Sequence, residues 1–311
     1  MILCLGTTPT VQRTMTFASL AIDEVNRALN VVETASGKAI NSARVLHTLG
    51  EPVLATGFLG GDSGAFIRRD LDQNGIAHAF VEVSPRTRTC VTAINQADGT
   101  ATELVEESAP VEPAAYEALA GIVDSNLRRA KAIVMSGTLP PGADDGFYAR
   151  LVTMAAEARV PAVVDAKGIP LRKAAAARPM VVKPNRAELA ATVGVAIDSA
   201  DALRDAIRRL IDLGPAWVVV TMGAEGAMAS DGKSFWQIDP PKITVVSPIG
   251  SGDSFTAGLA AGIVRGREVP DACRLAAACA AANAMVPVAG LVRREDVERL
   301  EREIPIRKVS V

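Results

Sequence analysis

Six short runs of aliphatic and β-branched residues recur along the chain with helical stretches between them: Ile2 to Leu5, Val53 to Phe58, Ala132 to Met135, Ala162 to Asp165, Met180 to Lys183 and Trp217 to Thr221. Such continuous runs suit a parallel sheet covered by helices on both faces, whereas a strand with one wet face alternates. The intervening segments Ala114 to Ala130, Phe147 to Ala158 and Ala200 to Leu213 carry apolar residues three and four positions apart, the spacing of a helix with one buried face. The pattern predicts an α/β chain built on a parallel sheet. Two regions break it: Thr7 to Thr34, and Arg86 to Glu107 with its alternating Thr87, Thr89, Val91 and Ala93. These read as short antiparallel strands with one solvated face. Each connects consecutive core elements, so together they are expected to form a small β lid, about 7–34 and 86–107, inserted in a single domain spanning 1–311.

Composition narrows the partners. With 33 basic and 35 acidic residues the net charge is −2, which gives no broad electrostatic footprint for nucleic acid or an anionic membrane surface. An anionic substrate must then be held by a few local cations. Cys4, Cys90, Cys273 and Cys279 form no Cys-x-x-Cys pair, and with His47 and His78 the only histidines there is no zinc pattern. Buried thiols in a reducing, cytoplasmic setting are expected. The start, MILCLG, reads as a first buried strand rather than a signal peptide. Leu275 to Val292 carries no charge, but it is mostly alanine and is interrupted by Asn283, Pro287 and Gly290. It reads as a buried helix ending near Met285 or Val286, with no membrane span. Arg293 to Arg307 reads as a solvated helix.

The segment PIGSGDSFTAG, Pro248 to Gly258, places a carboxylate behind a glycine-flanked turn at a helix start. Gly250 and Gly252 are expected at positive φ, turning N–H groups toward one point, and the helix adds unpaired donors and its positive dipole end. Such a nest holds an anion. Asp253 beside it is placed to accept a proton from a hydroxyl attacking phosphorus, although the same residues also suit a simple capped turn. In VKPNRAELA, Val182 to Ala190, Asn185 and Glu188 have capping-box spacing. They are equally suited to hold water on Mg²⁺ near nucleotide phosphates, with Lys183 neutralising the transferring phosphate. In SGKAINSARVLHTLG, Ser36 to Gly50, Lys38 and Asn41 sit on a glycine turn that opens into a helix, which suits either hydroxyl or phosphate recognition or a plain capped helix.

These three motifs in this order resemble the phosphofructokinase B family of the ribokinase-like superfamily. The resemblance covers nearly the whole chain and is strongest to the subgroup holding 1-phosphofructokinase and tagatose-6-phosphate kinase. It runs through VLATGFLGGDSGAFI (Val53 to Ile67), SGTLPPGADDGFYARLV (Ser136 to Val152), VKPNRAEL and PPKITVVSPIGSGDSFTAG (Pro240 to Gly258). It implies a doubly wound, mostly parallel sheet flanked by helices, a small β-sheet lid, and ATP-dependent transfer to a hydroxyl of a sugar phosphate of the fructose 1-phosphate or tagatose 6-phosphate type. By motif, Asp253 is the base and the Gly250, Ser251 and Gly252 backbone the anion hole. Asn185 and Glu188 organise Mg²⁺, acting through water. Lys183, with Thr221, Gly223 and Gly226 of VTMGAEGA, lines the nucleotide path, and Asn283 borders the adenine. Gly37, Lys38 and Asn41 face the sugar, while Arg88 reaches from the lid to a substrate phosphate, which its planar fork binds in two places. An exposed lid edge favours a homodimer.

The chain departs from the family pattern at its acceptor end. Gln12, in TPTVQ, stands where the family carries an aspartate for sugar hydroxyls, and Ser36 and Ala39 replace two glycines of the GGKGxN pattern. Ser251 in place of alanine is a mild change. An intact catalytic half beside an altered acceptor half implies a kinase with an unusual acceptor. The alternatives are a kinase of an unphosphorylated sugar or a nucleoside, and a non-catalytic sugar or nucleotide sensor. The sensor has no need of Asp253, Asn185 and Glu188 together.

Overall fold

The computed structural model describes residues 1–309. In chain order the elements begin with β1 (Ile2–Gly6), β2 (Thr10–Phe17), β3 (Asn30–Ser36), α1 (Lys38–Thr48), β4 (Val53–Leu59), α2 (Gly61–Gln73), β5 (His78–Glu82), β6 (Arg88–Asn95) and β7 (Thr100–Val105). The middle holds α3 (Pro113–Leu127), β8 (Ala132–Ser136), α4 (Phe147–Glu157), β9 (Ala162–Asp165), α5 (Gly168–Ala176), β10 (Val181–Val182), α6 (Arg186–Val193), α7 (Ala200–Ile211) and β11 (Trp217–Thr221). The last part holds β12 (Ala227–Ser230), β13 (Phe235–Ile238), α8 (Ser251–Val264), α9 (Val269–Ala284), α10 (Arg294–Glu303) and β14 (Ile306–Val309).

All six apolar runs are strands of one ten-stranded sheet, ordered β14-β13-β12-β11-β10-β9-β8-β1-β4-β5. From β5 to β11 the pairs are parallel, and β12 to β14 extend one edge antiparallel. The runs are continuous because successive side chains enter two cores. Ile2 and Cys4 pack among Leu46, Leu259 and Ala276 on one face, while Leu3 and Leu5 pack among Leu119, Tyr148 and Leu151 on the other. The chain leaves β1 outward to β4 and β5, then crosses back to β8 on the far side of β1. Such a reversal opens a crevice at the carboxyl ends of an α/β sheet, where Gly6, Ser136 and Asp165 end their strands.

The alanine-rich segment is α9, capped at Met285 and buried along most of its length against α8. Its small side chains allow close backbone approach, since a Cβ on Gly258 of α8 would lie 2.6 Å from Ala276 Cα. No helix among the described residues is long and apolar enough to cross a membrane. All four cysteines are buried free thiols. Of the C-terminal stretch, α10 buries Val297 and Leu300, and the chain then adds β14 to the sheet, a strand that its charged sequence did not signal.

A second, four-stranded sheet, β3-β2-β6-β7, holds the two segments that break the rhythm. The pairs β2·β3 and β6·β7 are antiparallel, but β2 and β6 run parallel from Thr10 opposite Arg88 to Phe17 opposite Asn95, which corrects the expectation of antiparallel strands throughout. The cause is topological. Strands β2 and β6 follow β1 and β5, which are parallel, so both leave the main sheet from its carboxyl edge. Buried Arg44 of α1 fastens this exit to the core, donating to Ala35 O (2.8 Å), Asp70 Oδ2 (3.0 Å) and Ala289 O (3.4 Å).

Candidate active site

The turn before α8 forms because Gly250 is left-handed at φ 84°, and a Cβ there would sit 2.7 Å from Ala289 Cβ. Only glycine suits both demands. Gly252, expected to share that geometry, instead lies inside the first turn of α8 and is not left-handed. Its contribution is room, because a Cβ on it would meet no atom within 4 Å. A second correction concerns the amides. Ser251 N–H donates to Pro248 O (3.2 Å), and the helix ladder begins with Ser254 N–H to Gly250 O, which leaves the Gly250, Gly252 and Asp253 N–H groups as donors at the helix start. Asn283, expected beside an adenine, is fully buried with both ends of its amide engaged. It donates to Ile249 O (2.8 Å) and accepts from Gly290 N–H (2.7 Å), so it braces the anion loop and presents no face to a ligand.

Asp253 accepts from Asn41 Nδ2 (2.8 Å), and its own backbone carbonyl accepts from Ser42 Oγ (2.9 Å). Burial pushes its carboxyl up to about 7; Lys38, the Asn41 hydrogen bond and Lys183 oppose the rise, while the like charge of Asp165 adds to it. Lys38 stands between the motifs, its Nζ 3.0 Å from Asp165 Oδ1 and 3.5 Å from Glu188 Oε1. Burial disfavours its charge, but the carboxylates of Asp165, Glu188 and Asp253 outweigh that and hold the ammonium above its ordinary range. The three motifs therefore meet around one ammonium group.

Asp165 is the member of this charged cluster that motif reasoning missed. It is fully buried at the end of β9, and its Oδ2 accepts from Thr256 Oγ1 (2.9 Å) and lies 3.2 Å from Lys183 Nζ. Burial opposes its charge, yet Lys183 and Lys38 prevail and hold its carboxyl below the usual range. The signal was present: an acidic residue closing an otherwise apolar strand. Lys183, expected along the nucleotide path, is 2 % exposed and engaged with Asp165, so it acts on the site through its charge and not as a lining group.

Asn185 and Glu188 form the capping box, Asn185 Oδ1 accepting from Glu188 N–H (2.8 Å) and Glu188 Oε2 from Asn185 N–H (2.9 Å). Glu188 Oε1 lies outside the cap, 3.5 Å from Lys38 Nζ, whereas the Asn185 oxygen is engaged by the cap. Asn185 also pairs with Thr221 across a parallel bridge, and Thr221 N–H donates to Pro184 O (3.2 Å), so the glycine loop lies directly beside this motif. Within that loop Gly223 borders open space, but a Cβ on Gly226 would lie 2.1 Å from Ile238 O. Gly226 thus has no room for a side chain against the antiparallel edge.

At the other end, Gly37 at φ 106° lets Thr8 and Pro9 approach, and it borders a small crevice with Gly6, Lys38, Ala39 and Ser136. Asn41 Oδ1 accepts from Ser36 Oγ (2.9 Å) while its Nδ2 donates to Asp253, so the expected sugar contact is turned toward that carboxyl. Gln12 is 2 % exposed and donates to Thr92 Oγ1 (2.8 Å), tying two strands of the second sheet together and leaving only its carbonyl side for a ligand. Arg88 donates to Thr8 O and Glu106 O (both 3.1 Å), and its buried Nε has no partner. It lines a crevice with Thr8, Pro9 and Arg86.

No group of three or more His, Cys, Asp or Glu among the described residues could cage a metal. The arrangement fits an Mg²⁺ ion that arrives with phosphate and keeps much of its water, with Glu188 Oε1, which it would share with Lys38, as the protein's oxygen toward it. The open space at Gly252 and Gly223 fits phosphate approach to the backbone.

A family model for pfkB family carbohydrate kinases matches residues 1–291. A candidate phosphofructokinase of Staphylococcus aureus is 29% identical with a TM-score of 0.81, the alignment covering 100% of this chain and 99% of that one. Phosphofructokinase-2 of Escherichia coli, solved with fructose-6-phosphate, is 24% identical with a TM-score of 0.86 over 97% of this chain and 98% of that one. A candidate 1-phosphofructokinase of Thermotoga maritima is 22% identical with a TM-score of 0.91 over 99% of both chains. The latter two share the ribokinase-like fold. With the family match extending from β1 to the loop after α9, the chain belongs to the pfkB family of carbohydrate kinases.

Proposed function

We propose that the protein transfers the γ-phosphate of Mg·ATP to a hydroxyl of a sugar phosphate of the fructose 1-phosphate or tagatose 6-phosphate type. The observation that carries this reading is the position of Asp253: a buried carboxylate at a helix start, beside free main-chain amides and within the field of Lys38. ATP supplies the phosphoryl group when bound, and Mg²⁺ neutralises its oxygens. Asp253 takes the proton of the acceptor hydroxyl as that oxygen attacks. The Gly252 and Asp253 N–H groups, aligned with the positive end of α8, donate to the negative charge at the transferring group. Lys38, held by Asp165 and Glu188, adds a cation within the same crevice.

Arg88 supports a phosphorylated acceptor, because this arginine, whose Nε has no partner, lines a crevice at the second sheet together with Arg86. That sheet acts as a lid over the crevice. Its exposed Val31, Leu104 and Val105, with Ile22, Val25 and Leu29 in the loop between β2 and β3, favour two copies pairing through their lids; a monomer by light scattering would remove that reading. A panel of sugars, sugar phosphates and nucleosides, read by ADP release, tests the whole proposal. Turnover confined to hexose phosphates is expected. Preference for free sugars or a nucleoside would replace the acceptor, and binding of sugar or ATP without turnover would favour a sensor.

A further inference from the structure

Three buried polar side chains lie in line beneath the crevice. Ser36, 2 % exposed at the end of β3, donates to Asn41 Oδ1 (2.9 Å), and Asn41, 4 % exposed on α1, donates through Nδ2 to Asp253 Oδ2 (2.8 Å). Asn41 has little freedom to move away, because its N–H bonds to Gly37 O (2.9 Å) and Gly290 packs against its Cα so closely that a Cβ there would lie 2.7 Å from it. An amide caught between a hydroxyl and a carboxylate has two orientations. With its N–H toward an ionised carboxylate, its oxygen faces Ser36, which has a hydrogen to donate. Reversed, its oxygen faces the acid, an arrangement that only a protonated acid can satisfy. Glycine or alanine at position 36 would leave the amide oxygen buried without a donor in the first orientation, so the hydroxyl selectively supports the ionised acid.

We propose that Ser36 is a positioning residue for the base: through the amide of Asn41 it holds the Asp253 carboxylate in its proton-accepting state, and it thereby takes Asn41 away from acceptor recognition. The proposal rests on the reading of Asp253 as the base. It gives a function to a serine standing where the family pattern has glycine. The other charged groups facing Asp253 are Lys38 from α1, Asp165 from the end of β9 and Lys183 after β10, with Glu188 of α6 acting on Lys38. None of them bonds to Ser36, whose hydroxyl bonds only Asn41, so exchanging the serine leaves their contacts intact.

The test titrates the Asp253 carboxyl by ¹³C NMR in the full chain, its resonance assigned by its loss in Asp253→Asn, for wild type, Ser36→Ala and Ser36→Thr. Ser36→Ala should raise the carboxyl pKa by about one unit, the effect of one unmatched buried hydrogen bond. Ser36→Thr, which restores the hydroxyl, should return it to the wild-type value. With ATP and fructose 1-phosphate as probes, the acid limb of kcat/KM for Ser36→Ala should move by the same amount while KM for ATP holds. An unchanged carboxyl pKa in Ser36→Ala, or equal shifts in both variants, overturns the proposal. Full turnover by Asp253→Asn would instead overturn the assignment of the base and leave the NMR result standing.

Discussion

On the proposed reading, the phosphate end and the acceptor end of the crevice are built from different materials. At the phosphate end the working groups are main-chain amides and one carboxylate, fixed by contacts that tolerate no added atom: Gly250 against Ala289, Gly258 against Ala276, and Asn283 bonded to Ile249 and Gly290. At the acceptor end the working groups are side chains, and the altered ones satisfy one another: Gln12 bonds Thr92, Ser36 bonds Asn41, and Ala39 fills the space against Gly6. Backbone geometry cannot be exchanged residue by residue, whereas a side-chain network can be rewritten while the fold stays intact. This is why departures from the family pattern gather at the acceptor end, apart from the mild change at Ser251.

The sharpest way to break this contrast is to remove the carboxylate. Asp253→Ala should lower kcat by at least about a hundredfold and leave ATP affinity, read by calorimetry, nearly unchanged, since a general base contributes roughly 10²–10⁴ in rate. Retention of near-normal turnover would take Asp253 out of its role. Gly250→Ala comes next. It forces a side chain into φ 84° and toward Ala289, at a combined cost on the order of 2–4 kcal/mol, visible as a fall in Tm together with lost turnover. If the phosphate end were as adaptable as the acceptor end, both readouts would stay near wild type.

The acceptor end predicts a smaller and more selective effect. Arg88→Ala should raise KM for a phosphorylated acceptor by roughly tenfold to a hundredfold, the worth of a hydrogen bond to a charged group, and change KM for the unphosphorylated counterpart much less. Equal effects on both would mean that Arg88, already bonded to Thr8 O and Glu106 O, only ties the second sheet down.

How far each end was legible follows from the same contrast. The six strands were readable because burial on both faces leaves an unbroken apolar run, and the turn before α8 because Gly250 and Asp253 act through local geometry. What escaped depends on partners far along the chain. Asn283 looked like a ligand contact on an alanine-rich helix, but its partner Ile249 lies 34 residues away. Asp165 belonged to no motif, and its importance appears only when Lys38 and Lys183 arrive from two other elements. Ser36 read only as the replacement of a pattern glycine, since nothing local shows that its hydroxyl reaches Asn41.

The pH response separates what Asp253 does for catalysis from what it does to the fold. Burial raises its carboxyl from 3.8 to about 7, with the like charge of Asp165 adding to the rise. A base must be ionised to work, so kcat/KM for the acceptor should climb about tenfold per unit below that value and level off above it. Stability runs the opposite way. The folded pKa lies above the unfolded one, so the fold favours the protonated form; this contribution is fully present below about 3.8 and is lost as pH rises through about 7. Asp253→Asn removes the titration and keeps an acceptor for the Asn41 amide. Compared with wild type it should therefore be more stable in denaturant at about pH 8 than at about pH 5, by up to a few kcal/mol, while its turnover is lost. A variant equally stable relative to wild type at both pH values would show that the carboxylate is not held against its preference. The phosphate end would then lack the built-in cost that distinguishes it from the self-satisfied network at the acceptor end.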